Sequence, residues 1–376
     1  MGTAVTQEPG VAVIGAGIVG LSVAYALVEA GVAVRVYESG VPGNGQSGGE
    51  SRIFRHAHAD PRLAALACDS RRIWSEWEEG LGVELISPDG VVAIGAGVED
   101  RLRVLEQVGG VPARSIDSAE LSERLPLLAS YSGPAMFDEA GGSIRTRAAI
   151  EALAVELGDS LVADEVISIR PLAQGRIEVR AGGSCFDYSS VVVCAGRGTA
   201  QLARGVGLSL PIRLAAHVRI TFALRGDPLA RLACLLDGSG DFGEIGTYGA
   251  PLSGNRSYAV GLSQAVDVQE DGSLLDPPGL AALGDRASVY VQRALPGLDP
   301  EPIDYRHCWV TELPWSADGV AVWESDGIFF IAGHNLFKHA PALGRALARA
   351  ALGEGLPSEL RPEARLGEPR ERLHCP

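Results

Sequence analysis

Lysine is almost missing from this chain: of 32 basic residues only Lys338 is a lysine, and the rest are arginine. Basic residues are also outnumbered, 32 against 47 acids, for a formal net charge of −15. A face that grips nucleic acid or an anionic membrane needs clustered positive charge, so neither partner is expected and a small molecule is the default ligand. The six cysteines (Cys68, Cys185, Cys194, Cys234, Cys308, Cys375) are scattered, with no C-x-x-C pair and no zinc-like spacing. Neither disulfides nor a structural metal are expected, and the pattern is that of a reduced, cytoplasmic protein. Long apolar runs are lacking too: the first is broken by glycines after four residues and no basic segment leads into it. Neither a signal peptide nor a membrane span fits. What the chain does have is 376 residues, 46% of them hydrophobic, enough for two lobes around a large core. Against so strong an arginine bias, Lys338 is either a chance surface residue or a place where a compact ammonium is wanted instead of a guanidinium fork.

Residues 11–38 read as an apolar strand, a glycine turn, an Ala-rich helix, a stop at Gly31 and a second apolar strand ending in an acid, which is a βαβ unit. A Gly/Ser/Asn-rich loop follows (39–51), then a helical segment over 61–79 and a strand-like, turn-rich stretch to 142. The run TRAAIEALAVEL (146–157) reads as helix, EVISIR (165–170) and VVVCAG (191–196) as strands. Alternation over 211–261 predicts strands of an antiparallel sheet. The acidic, Gly/Pro-rich stretch at 264–280 reads as an exposed loop. GIFFIAG (327–333) is a last apolar strand before a helix over 341–351.

The glycine turn has the form G-x-G-x-x-G. Gly15 makes the tight turn, Gly17 lets backbone approach a pyrophosphate, and Gly20 lets helix and strand pack closely, with the helix N-terminus facing the phosphates. Glu38 completes the pattern, since its carboxylate can accept both ribose hydroxyls and disfavours a 2′-phosphate, so NADP is not expected. Three later segments separate FAD from NAD: the loop GQSGGES (45–51), VVVCAG and FFIAG, the last two being apolar strands that end in glycine. Together they resemble a flavoprotein of the glutathione-reductase type, whose separate strand ends close over one extended FAD. The expected fold is α/β with an α+β substrate lobe: a discontinuous FAD-binding domain (1–82, 141–210, 318–376) and a substrate domain built on an antiparallel sheet (83–140, 211–317).

GESRIFRHAH (49–58), RHCWVT (306–311) and FIAGHNLFKHAPALG (330–344) are similar, in that order, to flavin-side motifs of monomeric sarcosine oxidase and N-methyltryptophan oxidase, within the D-amino-acid-oxidase-like superfamily. The resemblance covers nearly the whole chain. It implies that Arg55 binds the substrate carboxylate, that Lys338 does so from the other side, and that Arg52 lies beside the flavin ring. Being three residues apart, Arg52 and Arg55 would share a face if that segment were a helical turn. Cys308 lies where the relatives attach FAD through a cysteine thioether; a buried apolar cysteine beside Trp309 is the other reading. The cofactor contacts that the resemblance implies are Gly15, Gly17, Ile18, Gly20, Glu38, Ser47, Arg52, Val166, Ala195, Gly196, Cys308, Gly333, Phe337 and Lys338, with no metal.

Departures from the family are specific. Gly48 stands where a histidine is usual, and Ala259 of SYAVGLS (257–263) stands at or near the position of a second lysine by which the family's oxidases promote electron transfer to oxygen. No other lysine can replace it, which leaves His217, Arg219 or Arg256 to supply a positive field, or an acceptor other than oxygen. Tyr248, Tyr258, Trp309, Trp315 and Trp323 read as core, or as an aromatic wall that selects a bulky amine. His334 and His339 flank the lysine in polar, core or proton-shuttling roles. The implied activity is hydride transfer to FAD from the carbon next to nitrogen in a carboxylate-bearing amine, by a monomer using O2 or another acceptor. A flavin dehydrogenase of a non-amine such as a 2-hydroxy acid, or a flavin redox carrier served by a partner protein, are the alternatives.

Overall fold

The computed structural model describes residues 10–368. The first nine residues and Cys375 lie outside the described residues, so the expectations about the chain's start and about that cysteine are not addressed by it. Its contacts divide the chain into two compact units. Among the described residues, one comprises the segment up to Ser47 with Ala149–Ile212 and Thr311–Leu366; the other comprises Gly48–Ala148, Arg213–Val310, Gly367 and Glu368.

The first unit is the α/β part. Its six-stranded sheet runs, edge to edge, Val320–Ser325, Ile328–Gly333, Ser190–Val193, Val11–Ile14, Val34–Glu38 and Leu161–Ala163. All neighbours are parallel except the first pair. Strands covered on both faces read as continuous apolar runs, as VAVI and SVVV do here, and every residue of both is buried. The helices Ile18–Glu29 and Ala340–Arg349 pack against each other. Their approach depends on Gly344, where a Cβ would lie 2.6 Å from the carbonyl carbon of Ser22. A separate three-stranded antiparallel sheet, Val166–Pro171, Ile177–Ala181 and Ser184–Tyr188, closes over the core that holds Ala12, Ile14, Tyr37 and Val191.

The second unit is built on a nine-stranded sheet: Val266–Asp267, Arg213–Leu224, Ser257–Leu262, Thr247–Pro251, Cys234–Gly238, Val91–Gly95, Ala135–Asp138 and Ala113–Ile116 in order, with Leu298–Glu312 also paired to Arg213–Leu224. The strand pairs of this sheet run antiparallel as expected, except that Cys234–Gly238 runs parallel to Val91–Gly95. These two strands come from separate segments of the unit's sequence, so no hairpin constrains their direction.

Three helices occupy ground expected to be strand, turn or loop. Val98–Val108 and Ser118–Arg124 lie within the turn-rich stretch. Both are short and bury little, two residues and one residue respectively, so neither presents a long apolar stripe. Pro277–Ala294 begins inside the expected loop. Its Asp276 cap accepts from the Gly279 N–H and proline opens its first turn, while Leu280, Leu283, Ala287, Tyr290, Val291 and Ala294 form a buried stripe.

The helical-turn reading of Arg52 and Arg55 is corrected. Ser51–Phe54 is a strand paired antiparallel with Gly142–Arg145, Arg52 opposite Ile144, and Arg55 lies just past its end. Pairing decides the conformation: Ile53 and Phe54 favour extended backbone, and Gly141 lets the two chains close up, since a Cβ there would meet the Phe54 carbonyl oxygen at 2.9 Å. No helix among the described residues is long and apolar enough to cross a membrane.

Candidate active site

In the first unit, the parallel strands bring their carboxyl ends to one sheet edge: Gly15 follows Ile14, Glu38 ends its strand, Ala195 and Gly196 follow Val193, and Gly333 ends Ile328–Gly333. Open α/β sheets bind ligands at that edge. Gly15 is at φ +99°, where a Cβ would also meet the Cys194 carbonyl oxygen at 2.5 Å. The helix that follows has Gly17 as its N-cap, with no acid in its first turn. The Ile18 N–H is met by Ser47 Oγ at 3.0 Å, so the Gly/Ser loop folds back over the helix start. Gly196 keeps the same loop close, since a Cβ there would lie 2.6 Å from Gln46 Oε1. Glu38 accepts from the Ala16 N–H (2.8 Å) through one oxygen and from the Gly40 N–H (2.9 Å) through the other. Desolvation pushes the Cys194 thiol up to about 12, which keeps it protonated beside this turn. Val166 opens the three-stranded sheet just past Ala163.

Beyond Gly333 the chain turns through Asn335 at φ 56° into a single turn, Leu336–His339. Phe337, Lys338 and His339 are buried there, and Lys338 Nζ donates to the Asn335 carbonyl at 3.3 Å. The chain's single lysine is therefore 4% exposed, which excludes the chance-surface reading. Thr311 Oγ1 donates to the Gly333 carbonyl at 2.7 Å and ties this strand end in place. Trp315 and Trp323 pack around Leu313, Ala321 and Ala332 in the same unit.

In the second unit, Arg52 donates to the Ser51 carbonyl (3.0 Å) and to the Gly48 carbonyl, and Arg55 donates to the Ala57 carbonyl. The next residue is held firmly: Asp138 accepts from the His56 N–H (2.9 Å) and meets its ring Nδ1 at 3.0 Å, with both side chains buried. Of the three candidate positive groups, Arg256 is exposed, while His217 and Arg219 are buried. His217 Nδ1 faces the carbonyls of Leu262 and Gln264 at 3.2 and 3.0 Å. Arg219 donates to the Ser51 carbonyl and to Ser51 Oγ, at 2.8 and 2.9 Å. Burial lowers the pKa of Arg219, and the Arg52 charge lowers it further. Burial raises that of Tyr248, with Arg219 opposing. Cys308 is half-buried in Leu298–Glu312 and close enough to act electrostatically on both. Tyr258 is fully buried, donating to the Ala233 and Gly249 carbonyls, which gives it a core role, and Trp309 donates to the Gly272 carbonyl.

Residues 10–350 match the family model described as DAO, FAD dependent oxidoreductase. The chain belongs to this family. Human peroxisomal sarcosine oxidase is 26% identical over 362 residues, covering 89% of this chain and 90% of that protein. N-methyl-L-tryptophan oxidase of Yersinia pestis is 24% identical over 200 residues, covering 50% of this chain and 54% of that protein. Among solved structures, NikD, an unusual amino acid oxidase essential for nikkomycin biosynthesis, superposes with a TM-score of 0.80 at 18% identity, covering 93% of this chain and 95% of NikD. The NikD likeness shows the fold.

The residues of this DAO-family oxidoreductase fit its FAD. Ser47 Oγ takes the Ile18 N–H at the helix N-terminus beside Gly17, and the next N–H groups and the positive end of the dipole suit a pyrophosphate. Each Glu38 oxygen holds one backbone N–H and keeps a second lone pair for a ribose hydroxyl. Two partnerships escaped the sequence: Asp138 with His56, and Ser51 with Arg219. The first joins positions 82 apart and carries no local signal. The second had one, because an arginine within the apolar alternation of VRITF must lie on a face of its own.

Proposed function

We propose that this flavoenzyme oxidises the carbon next to nitrogen in a carboxylate-bearing secondary or N-alkyl amine, giving an imine. The observation that carries the reading is the full-length similarity to a protein named sarcosine oxidase, joined by one named N-methyl-L-tryptophan oxidase. Both names denote N-methyl amino acids. FAD, when bound, supplies the chemistry by accepting a hydride at its N5. The protein's own part is to hold the substrate. In this reading Arg55 and Lys338 take the carboxylate, a fork and a point charge respectively, while Arg52 accompanies the isoalloxazine and Cys308 carries the flavin as a thioether. Lys338 is buried and Arg55 follows a paired strand, so neither must be ordered from a flexible state at binding.

The unit containing Gly15, Glu38 and Gly333 is assigned the cofactor, through Gly15, Gly17, Ile18, Gly20, Glu38, Ser47, Val166, Ala195, Gly196, Gly333 and Phe337. The unit built on the nine-stranded sheet is assigned the substrate. Cytoplasmic location, a monomeric state, and O2 or another small acceptor belong to the same proposal, supported by the scattered free thiols and the family resemblance. The test is anaerobic: purified holoenzyme is mixed with secondary amines, cyclic imino acids, aromatic amino acids and 2-hydroxy acids, and flavin bleaching is followed. Bleaching by an amine is expected. Bleaching by hydroxy acids alone, or by nothing, would overturn the reading.

A further inference from the structure

The strand Arg213–Leu224 divides its side chains between the two faces of its sheet. Val218, Ile220 and Phe222 enter the apolar core with Val260, Leu262 and Tyr290, which puts His217, Arg219 and Thr221 on the other face. Arg219 is 9% exposed. Its side-chain hydrogen bonds both go to Ser51, and among the described residues no Asp or Glu pairs with it, while a second cation, Arg52, acts on it. A buried charge without a counter-ion is costly, and two guanidinium groups near one another make it more so. An incoming anion relieves both costs.

The neighbouring strands leave room for one. Arg219 pairs with Gly261, and Gly261 pairs with Tyr248, so the three stand in one cross-strand row. Gly261 has no side chain, and the Tyr248 ring leans across it: a Cβ at Gly261 would lie 2.5 Å from both Cζ and the hydroxyl oxygen. The phenol is thereby brought towards Arg219, which still has its Nε–H and one N–H on each terminal nitrogen to offer. That is a two-pronged donor for a carboxylate, with a hydroxyl donor beside it.

We infer that Arg219, with Tyr248, receives a second carboxylate of the substrate, so that amines with two carboxylates are preferred over those with one. This rests on the amine reading given above. The second acid can be on the side chain, as in an N-methylated aspartate or glutamate, or on the nitrogen substituent, as in an N-carboxymethyl amino acid.

The experiment is anaerobic stopped-flow reduction of the holoenzyme by matched amines: N-methylalanine, N-methylaspartate, N-methylglutamate and N-carboxymethylalanine. In the wild type at least one diacid should be preferred over the monoacid by about 10- to 100-fold in reduction rate over apparent Kd, the range for charge-assisted hydrogen bonds. Which diacid it is identifies where the second acid sits. In R219Q that ratio should fall towards one, and in Y248F it should fall severalfold. If R219Q does not retain FAD, Y248F and R219K decide, R219K keeping the charge but losing the fork and hence most of the preference. Equal rates for monoacid and diacids in the wild type, ratios unmoved by the variants, or an effect confined to reoxidation by oxygen would overturn the inference and leave the amine reading intact. Failure of every amine to bleach the flavin would sink both.

Discussion

Replacing Gly20 with alanine probes the cofactor turn at its tightest point. A Cβ built there falls 1.9 Å from the Gly15 carbonyl oxygen, 3.1 Å from its carbon and 3.4 Å from Cys194 Cβ. The obstructing atoms are backbone, so no rotamer change relieves the clash, and Cβ contacts under 3.0 Å are essentially never seen. The helix Ile18–Glu29 must therefore withdraw from the turn by about 1 Å, at an overpacking cost of about 1–3 kcal/mol. Its N-terminal N–H groups move with it, away from the pyrophosphate they should bind. The expected result is a rise in the FAD Kd of about 10- to 100-fold, since each 1.4 kcal/mol is a factor of ten. The assay is titration of apoprotein with FAD, followed by quenching of flavin fluorescence, in a Cys308→Ala background so that binding is reversible. Gly31→Ala is the control: Gly31 is at φ +73° with nothing within 4 Å of an added Cβ, so it should lower the melting temperature through backbone strain and leave the Kd alone. A Gly20→Ala protein that binds FAD within twofold of its parent would refute the reasoning.

Other consequences follow from the same geometry. Glu38→Gln replaces an acceptor oxygen with a donor where Ala16 and Gly40 each present an N–H; FAD affinity should fall about tenfold in the same titration. Asp138→Ala leaves the His56 N–H and ring nitrogen buried without their acceptor, so urea unfolding should show a loss of about 2–5 kcal/mol, with a smaller loss for Asp138→Asn. Burial alone would raise the Asp60 pKa, but hydrogen bonds from Arg62 and the Gly367 N–H outweigh it and hold the carboxyl below its usual range. A depressed folded value stabilises above the unfolded one and is lost as pH falls through it. The melting deficit of Asp60→Asn should therefore be full at pH 7 and close below about pH 4; a deficit independent of pH would contradict this. Arg55→Met should lower the rate of flavin reduction over apparent Kd by about 30-fold or more if that residue holds the substrate carboxylate. An unchanged value would remove it from the site.

Much of the first unit could be read from the sequence because its signals are local. The βαβ segment, the acid at Glu38, and the apolar strands 190–193 and 328–333 each announce themselves within a dozen residues, and the helix Thr146–Leu157 has the expected bounds. The second unit was less legible because its decisive contacts are distant. Ser51–Phe54 is a strand only because Gly142–Arg145 pairs with it across some ninety residues, and the parallel pairing of Cys234–Gly238 with Val91–Gly95 has no local trace. The helix Pro277–Ala294 is a different matter: its Asp276 cap, its proline and its apolar stripe are all in the sequence, but the acidic, glycine-rich residues before it drew the segment towards a loop. Lys338 stood out through the composition of the rest of the chain, and its burial was not visible from that alone.

The measurement that bears most directly on the central claim is the visible spectrum of the purified protein, followed by acid precipitation. The account predicts a yellow protein with the two absorption bands of oxidised flavin, and colour that stays with the pellet in the wild type and leaves it in Cys308→Ala. Colour released from the wild type would return Cys308 to a packing role and keep FAD as the cofactor; a colourless protein that takes up no added FAD would contradict the account at its root.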